Sequence, residues 1–158
     1  MAASGILGGI ARRGRSRGAI QTLDAALVTT GFGVEGDFRG KIRPGGKGRR
    51  QVSLLESESW AHAMADLGLA DENFLPWTSR RANLLTQGIR FPREAGFIIA
   101  IGDSLRIQIA VECDPCSRME EIHSGLFCAL KPDWRGGFLG KVISDGAIAV
   151  GDTIRIEK

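Results

Sequence analysis

Two of the chain's three cysteines, Cys113 and Cys116, stand two residues apart in the stretch VECDPCSRMEEIH, residues 111–123, between an alternating run and a helix-like one. A C-x-x-C pair placed there admits three chemistries: a redox dithiol, half of a zinc site, or one activated thiol beside an ordinary one. Zinc would draw on Cys113, Cys116, His123 and Cys128, four ligand types in order. If residues 117–130 are helical, however, Cys116 and Cys128 lie about 18 Å apart along the axis, against about 2.0–2.3 Å from each ligand to a shared metal. A working dithiol needs both sulfurs at a helix start in a βαβ setting, and that setting is missing. The third reading favours Cys116 without excluding the others. It stands immediately before a helix, where unsatisfied N–H groups and the nearby Arg118 favour an anionic sulfur, and Pro115 restricts Asp114 to extended geometry on the approach. Cys113 then reads as a half-buried residue at a strand end, and Cys128 as a core residue within the apolar end of the helix.

The elements that must position this stretch are mostly strands. Leu105, Ile107, Ile109 and Val111 alternate with Arg106, Gln108 and Ala110, the period of a half-buried strand, entered through a Gly102-Asp103 turn. The segment IGDSLRI at 101–107 is echoed by VGDTIRI at 150–156, as a barrel built from similar halves would show. Further strands are expected at 5–11, 51–55, 82–85, 138–143 and 147–150. One helix is expected in LESESWAHAMADLGL, residues 55–69, with Trp60, Met64 and Leu67 on one face, His62 on the surface, Ser53 and Glu56 at capping-box spacing, and Gly68 at the stop. A second follows Cys116, with Ser117 and Glu120 repeating the spacing, Met119, Ile122 and Leu126 as its stripe, Gly125 a break, and Lys131-Pro132 the end. Strands outnumber helices and do not alternate with them. The expectation is a mainly β (α+β) barrel with two or three packed helices, in a single domain spanning residues 1–158.

A chain of 158 residues needs no metal or disulfide staple to fold, so its cysteines are free for other work. Their odd number, the lack of an apolar signal core and the lack of the roughly 20 apolar residues of a membrane span read as a cytoplasmic protein with no membrane partner. Arg12, Arg13, Arg15 and Arg17, with no acid in the first 23 residues, resemble a transit segment in composition; glycines at 5, 8, 9, 14 and 18 favour a strand followed by a basic loop instead. The formal net charge of +3 is unevenly spread, with ten Lys/Arg against three acids in residues 1–50. The densest part, DFRGKIRPGGKGRR, can offer cations and free N–H groups to an anion, whereas its single Phe is too little stacking surface for nucleic acid.

Read together, GVEGD at 33–37, RQVSLLESES at 50–59, RRANLLTQGI at 80–89, IGDSLRI at 101–107, PCSRME at 115–120 and RGGFLGKVISDGAIAVGD at 135–152 resemble the MOSC domains, named for the C-terminal domain of molybdenum-cofactor sulfurases. The likeness spans roughly residues 5–157, and it is the order of the segments that makes it specific. It implies a β-barrel-like fold and, at the Pro-Cys position, a cysteine that carries persulfide sulfur or ligates molybdenum of a pterin cofactor (molybdopterin); here that is Cys116. It also implies that Arg81 and Asn83 line the site and that Arg135-Gly136-Gly137 is a glycine turn facing it, while Cys113 is not required. The basic loop 39–50 is a place for the pterin phosphate.

Three functions follow as expectations. In the first, Cys116 accepts sulfur from a pyridoxal-phosphate cysteine desulfurase, the pyridoxal phosphate staying with that partner, or coordinates the cofactor's molybdenum; a soft thiolate serves both. In the second, the protein is a molybdenum-dependent reductase of N-hydroxylated compounds. Three cysteines cannot hold a four-cysteine iron–sulfur cluster, so a redox partner would supply the electrons. In the third, it is a small-ligand-binding module in which Cys116 is structural.

Overall fold

The computed structural model describes residues 3–157. The chain opens with β1 (Ser4–Arg12), β2 (Gln21–Leu23), β3 (Ala25–Thr29) and β4 (Gly33–Val34), then crosses the basic loop to β5 (Val52–Glu56). Helix α1 (Ser57–Asp66) leads through two single 3-10 turns to β6 (Leu84–Gln87), β7 (Ile98–Ile101) and β8 (Leu105–Glu112). Helices α2 (Ser117–Ile122) and α3 (Leu126–Ala129) and a last 3-10 turn precede β9 (Phe138–Ser144), β10 (Gly146–Ala149) and β11 (Thr153–Glu157).

Seven strands close into a barrel in the order β11-β7-β8-β9-β5-β6-β1, the ring completed by pairing of β1 with β11. The front half of β1 pairs with β11 and its back half with β2, so β1 both closes the barrel and carries an extra strand at its edge. All pairs in the ring are antiparallel except β5 with β6, which run parallel because α1 makes the crossover between them. A second sheet, β10-β3-β4, is joined to the barrel by buried Gln51, whose amide donates to Thr30 O (2.8 Å) and accepts from Val142 N (2.9 Å). The expected mainly β architecture with packed helices is the observed one.

Alternation along the strands separates two cores. Leu54, Leu84, Ile107 and Ile109 point into the barrel with Phe91 and Phe138, while their neighbours Leu55 and Leu85 point outward to Trp60, Ala63, Met64, Met119 and Leu126 of the helices. Aromatic rings fill one part of the barrel core: Phe91 and Phe97 meet Phe138 edge-on, and Trp134 packs on Phe138 at 5.2 Å.

The sequence echo at 101–107 and 150–156 has a structural counterpart, because Gly102 and Gly151 both adopt left-handed φ and launch β8 and β11, which lie on either side of β7. Gly125 divides the second helical stretch, as expected, with φ 88° between α2 and α3. Several expectations need correction. Ser53 lies in β5 and does not cap α1, and Glu56, the residue before that helix, turns its carboxylate to Arg93, Ser59 and Phe91 N. Ser117 is the first residue of α2, not its cap. Glu120 accepts instead from Gly125 N (2.9 Å) and Phe127 N (3.2 Å), thereby capping α3. Cys128 is exposed rather than buried. Strands β2, β3, β4 and β7 were not anticipated. Among the described residues no helix is long and apolar enough to cross a membrane.

Candidate functional site: an arginine cleft beside a cysteine pair

The loop from β8 to α2 carries Cys113 through Cys116, and one guanidinium holds it in place. Arg80 ends the 3-10 turn Trp77–Arg80 and is buried. Its Nε donates to Gly136 O (2.9 Å), and its Nη2 donates to Cys113 O (2.9 Å), Asp114 O (3.3 Å) and Cys113 Sγ (3.2 Å). The planar five-donor fork of arginine suits a task that no lysine could match. The following residue, Arg81, is left-handed at φ 65°, a costly conformation for a side-chain-bearing residue, and this reversal sends two adjacent arginines along different paths.

Gly136 and Gly137 complete the other side of the clamp. A Cβ on Gly136 would stand 2.5 Å from Cys113 O, and one on Gly137, at φ 112°, would stand 2.3 Å from Leu54 O. The glycine turn is therefore required by the close approach of the cysteine loop and of β5. Arg135, expected to face the site with these glycines, turns away: its guanidinium pairs with Asp66 and donates to Ala129 O, tying the turn to the helices. Asn83 touches the cleft but is committed elsewhere. Its Oδ1 accepts from Ser53 N (3.0 Å) and Ser53 Oγ (3.2 Å), and its Nδ2 donates to Ala11 O (3.1 Å), so it locks β1 and β5 beside the start of β6.

Between these anchors lies a cleft of about 170 Å³ bordered by Cys113 and exposed Cys116, by Gly136, and by six arginines, 13, 39, 50, 80, 81 and 118, against two aspartates, 37 and 114. The carboxylate of Asp37 is turned to the chain: Oδ1 accepts from Arg13 N (3.0 Å) and Oδ2 from Arg39 N (3.2 Å). The ion pairs of the described residues use Arg90, Arg93, Arg106 and Arg135, and none of the cleft arginines. The crowding has an electrostatic signature. Burial, then the charge of Arg81, pulls the Arg13 guanidinium below its ordinary pKa, and burial, then the charges of Arg118 and Arg17, does the same to Arg81. Arg81 is held by Nη2 donating to Gly18 O (2.6 Å), yet its Nε is buried without a partner.

Cys116 occupies the N-cap position of α2 in extended geometry (φ −118°, ψ 172°). The helix has only six residues, so the positive surroundings of this sulfur come chiefly from the arginines rather than from a helix dipole. Cleft and basic loop are continuous. A shallower basin of about 820 Å³ runs along Phe38 and residues 39–51, sharing Arg39 and Arg50 with the cleft, and Phe38 lies against the guanidinium of Arg13 (4.9 Å) and that of Arg39 (5.4 Å). Among the described residues no three His, Cys, Asp or Glu side chains are grouped to hold a metal ion.

Cys116, Arg81, Asn83 and Gly136 thus come together at one cleft, Gly137 supports it from behind, and Arg135 lies outside it. Sequence reasoning missed Arg80 and Arg13. Arg13 sits in a basic run that drew notice for its charge and Arg80 in RRANLLTQGI, which drew notice only for its likeness to the family; neither segment is near Cys116 in the chain.

The chain belongs to the MOSC domain family, whose profile matches residues 41–155. Its fold is similar to the crystal structure of the YuaD protein from Bacillus subtilis, with 19% identity, a TM-score of 0.78, and coverage of 99% of this chain and 97% of that one. It is similar also to YiiM from Escherichia coli (18% identity, TM-score 0.69, 97% and 70% covered) and YiiM from Geobacillus stearothermophilus (16%, 0.65, 98% and 73%). No curated protein matches the chain.

Proposed function

We propose that this MOSC protein carries sulfur on Cys116. The observation that carries the reading is an exposed cysteine set in a cleft where six arginines face two aspartates. Such surroundings electrostatically stabilise anionic groups brought to the sulfur, whose thiolate is the form that attacks sulfur. In the carrier reaction the Cys116 thiolate attacks the outer sulfur of a donor persulfide. The donor's inner sulfur leaves as its thiolate, and the outer sulfur stays on Cys116 as a persulfide, so a thiol–persulfide exchange needs no external oxidant. In the family's pattern the donor is a cysteine desulfurase, which keeps its own pyridoxal phosphate. Arg80 and Gly136 act as positioning residues that set where the Cys113–Cys116 loop stands.

A second reading is favoured by the basin next to the cleft. At about 820 Å³ it offers room for a ligand larger than the cleft alone admits, and its rim of Arg39, Lys41, Arg43, Lys47, Arg49 and Arg50 suits a phosphate. The residues present fit a molybdenum–pterin cofactor in two respects: a soft sulfur at Cys116 for the metal and unpaired guanidinium groups, including the orphaned Arg81 Nε, for its anionic parts. Such a group would supply oxygen-atom or two-electron chemistry, and reduction of N-hydroxylated compounds would then draw electrons from a partner protein. In this reading the chain's own part is to bind the phosphate through the basic loop, to hold the metal at Cys116 and to orient the group with Arg81.

Native mass spectrometry with molybdenum analysis, on protein made in a host that synthesises the cofactor, separates the readings when wild type is compared with Cys116→Ala. One additional sulfur on wild type and none on the variant is the result expected of a carrier. Molybdenum and pterin that disappear in the variant would replace that reading with the second. Neither adduct, together with ordinary slow alkylation of Cys116, would reduce the cleft to a plain ligand-binding site.

A further inference from the structure

We propose that the cleft admits a small inorganic sulfur donor, a thiosulfonate dianion of the thiosulfate type, with Arg81 and Arg118 holding its sulfonate oxygens and Cys116 taking its outer sulfur. This rests on the carrier reading and names a donor class for it that requires no partner protein. Three observations lead to it. The cleft itself is only about 170 Å³, a fit for a compact anion, whereas larger ligands are left to the neighbouring basin. Its positive charge is in excess, with six arginines against Asp37 and Asp114, and although Arg80 is engaged with backbone carbonyls none of the six forms an ion pair among the described residues, while both carboxylate oxygens of Asp37 are used on backbone N–H groups. Finally, Arg81 is fixed at one edge by Gly18 O while its buried Nε has no acceptor, an unmet demand that a sulfonate oxygen answers. Arg118 follows Cys116 by two residues on α2 and lies close enough to lower the Arg81 pKa, although burial is the larger cause of that shift.

The chemistry balances without a further reagent. The Cys116 thiolate attacks the outer sulfur, a sulfur–sulfur bond to Cys116 forms as the bond from that sulfur to the sulfonate sulfur breaks, and the electron pair departs with sulfite. Cys116 is oxidised to the persulfide level and the sulfonate sulfur is reduced. Negative charge accumulates on the sulfonate oxygens as sulfite leaves, so donors aimed at those oxygens bind the transition state more tightly than the ground state. A second nucleophile, a thiol or cyanide, then removes the outer sulfur and restores the thiolate.

The test uses the full chain, thiosulfate as donor and cyanide as acceptor, with thiocyanate, sulfite and the mass of the protein as readouts. Expected are a persulfide on Cys116, one sulfite per sulfur loaded, and loss of both in Cys116→Ser. Arg118→Gln and Arg81→Gln each lower kcat/KM for thiosulfate by about tenfold or more. Sulfur loading from cysteine persulfide, which has no sulfonate, falls clearly less than loading from thiosulfate in the same variants, so the ratio of the two rates carries the assignment. Thermal melts show which variant is folded, and Arg118→Gln, on the short exposed helix, carries the test if Arg81→Gln does not fold. Wild-type protein that loads from cysteine persulfide but never from thiosulfate overturns this inference and leaves the carrier reading intact. Protein that loads from neither overturns both, and equal losses with both donors in the arginine variants would remove the sulfonate assignment.

Discussion

Arg80→Met removes the guanidinium that holds the cysteine loop while keeping an unbranched side chain of similar length. The wild-type group makes two short bonds, to Gly136 O and Cys113 O at 2.9 Å each, and a longer one to Asp114 O at 3.3 Å. Charge-assisted bonds of this kind contribute ~1.5–3 kcal/mol each, so the two short ones set a gross loss of about 3–6 kcal/mol. Cys113 is half-buried and Asp114 exposed, so water can rehydrate their carbonyls, whereas Gly136 is buried. A net loss of about 3 kcal/mol is the expected outcome, which for a domain of this size lowers Tm by about 6–12 °C. Arg80→Lys recovers little of it, since one ammonium cannot fork to three carbonyls on two segments. The assay pairs thermal unfolding with iodoacetamide labelling read by mass spectrometry. Cys113 loses its Nη2 partner at 3.2 Å along with the bonds that hold its backbone, and it is labelled faster in Arg80→Met. A variant that melts within about 2 °C of wild type and labels identically would refute the clamp, because no arrangement of those bonds could then contribute the stability assigned to them.

Four further outcomes are expected. Gly136→Ala places a Cβ 2.5 Å from Cys113 O, lowering stability by about 1–3 kcal/mol in chemical denaturation and reducing sulfur loading of Cys116 more than it reduces stability. Glu56→Gln breaks the bidentate pair with Arg93 (2.7 Å to each oxygen), in which both side chains are largely buried, and costs about 3–5 kcal/mol by the same measurement. Asp133 is held below its ordinary pKa of 3.8 by hydrogen bonding from Arg90, then by the charges of Arg93 and Arg90 against slight burial. Its stabilising effect is therefore present above pH 3.8 and lost as pH falls through the folded-state value, so Asp133→Asn melts slightly below wild type at pH 7 and the two curves converge in acid. Arg118→Gln, in low-salt buffer free of sulfate and phosphate, melts no lower than wild type; a fall of several degrees would make Arg118 a structural residue.

Where one face of a segment is buried and the other is not, the sequence is explicit. Leu105 to Val111 reads as a strand because Leu105, Ile107 and Ile109 enter the core between Arg106 and Gln108. Strand β7 reads as nothing in particular, since its three last residues, Ile99, Ala100 and Ile101, are all buried and leave no alternation to detect. Strands β3 and β4 are short and belong to a side sheet whose pairing with β10 joins residues over a hundred positions apart. Capping boxes failed at both helices for one reason: tertiary partners outbid the local spacing, drawing Glu56 to Arg93 and Glu120 to the next helix. At the site, Cys116 was legible from its Pro-Cys context and its place before a helix. The division of labour between Arg80 and Arg81 was not, because it depends on a left-handed turn that no propensity of arginine announces. The same limit applies to Arg135, whose neighbours Gly136 and Gly137 serve the cleft while its own side chain finds Asp66.

The residues that build the cleft and the residues that charge it are largely different, and their energetics have opposite sign. Asn83 ties β1 to β5, Arg80 ties the cysteine loop to the glycine turn, and Asp37 ties the backbones of Arg13 and Arg39; each spends its polar atoms on the chain itself. These anchors contribute to stability. The pKa of Arg13 is instead lowered by burial and then by Arg81, and that of Arg81 by burial and then by Arg118 and Arg17, which means that these two charges are held where burial and their neighbours disfavour them. A fold selected for stability alone would pair them with acids, as it does Arg93 with Glu56 and Arg106 with Glu157. Here the cleft sets six arginines against two aspartates, of which Asp37 is turned to backbone N–H groups, so positive charge is left in excess. A bound anion relieves the repulsion and gains by the same amount, so stability and ligand affinity are linked at this cleft. The exposed sulfur of Cys116 borders the same cleft, which is the juxtaposition the proposed carrier role would use.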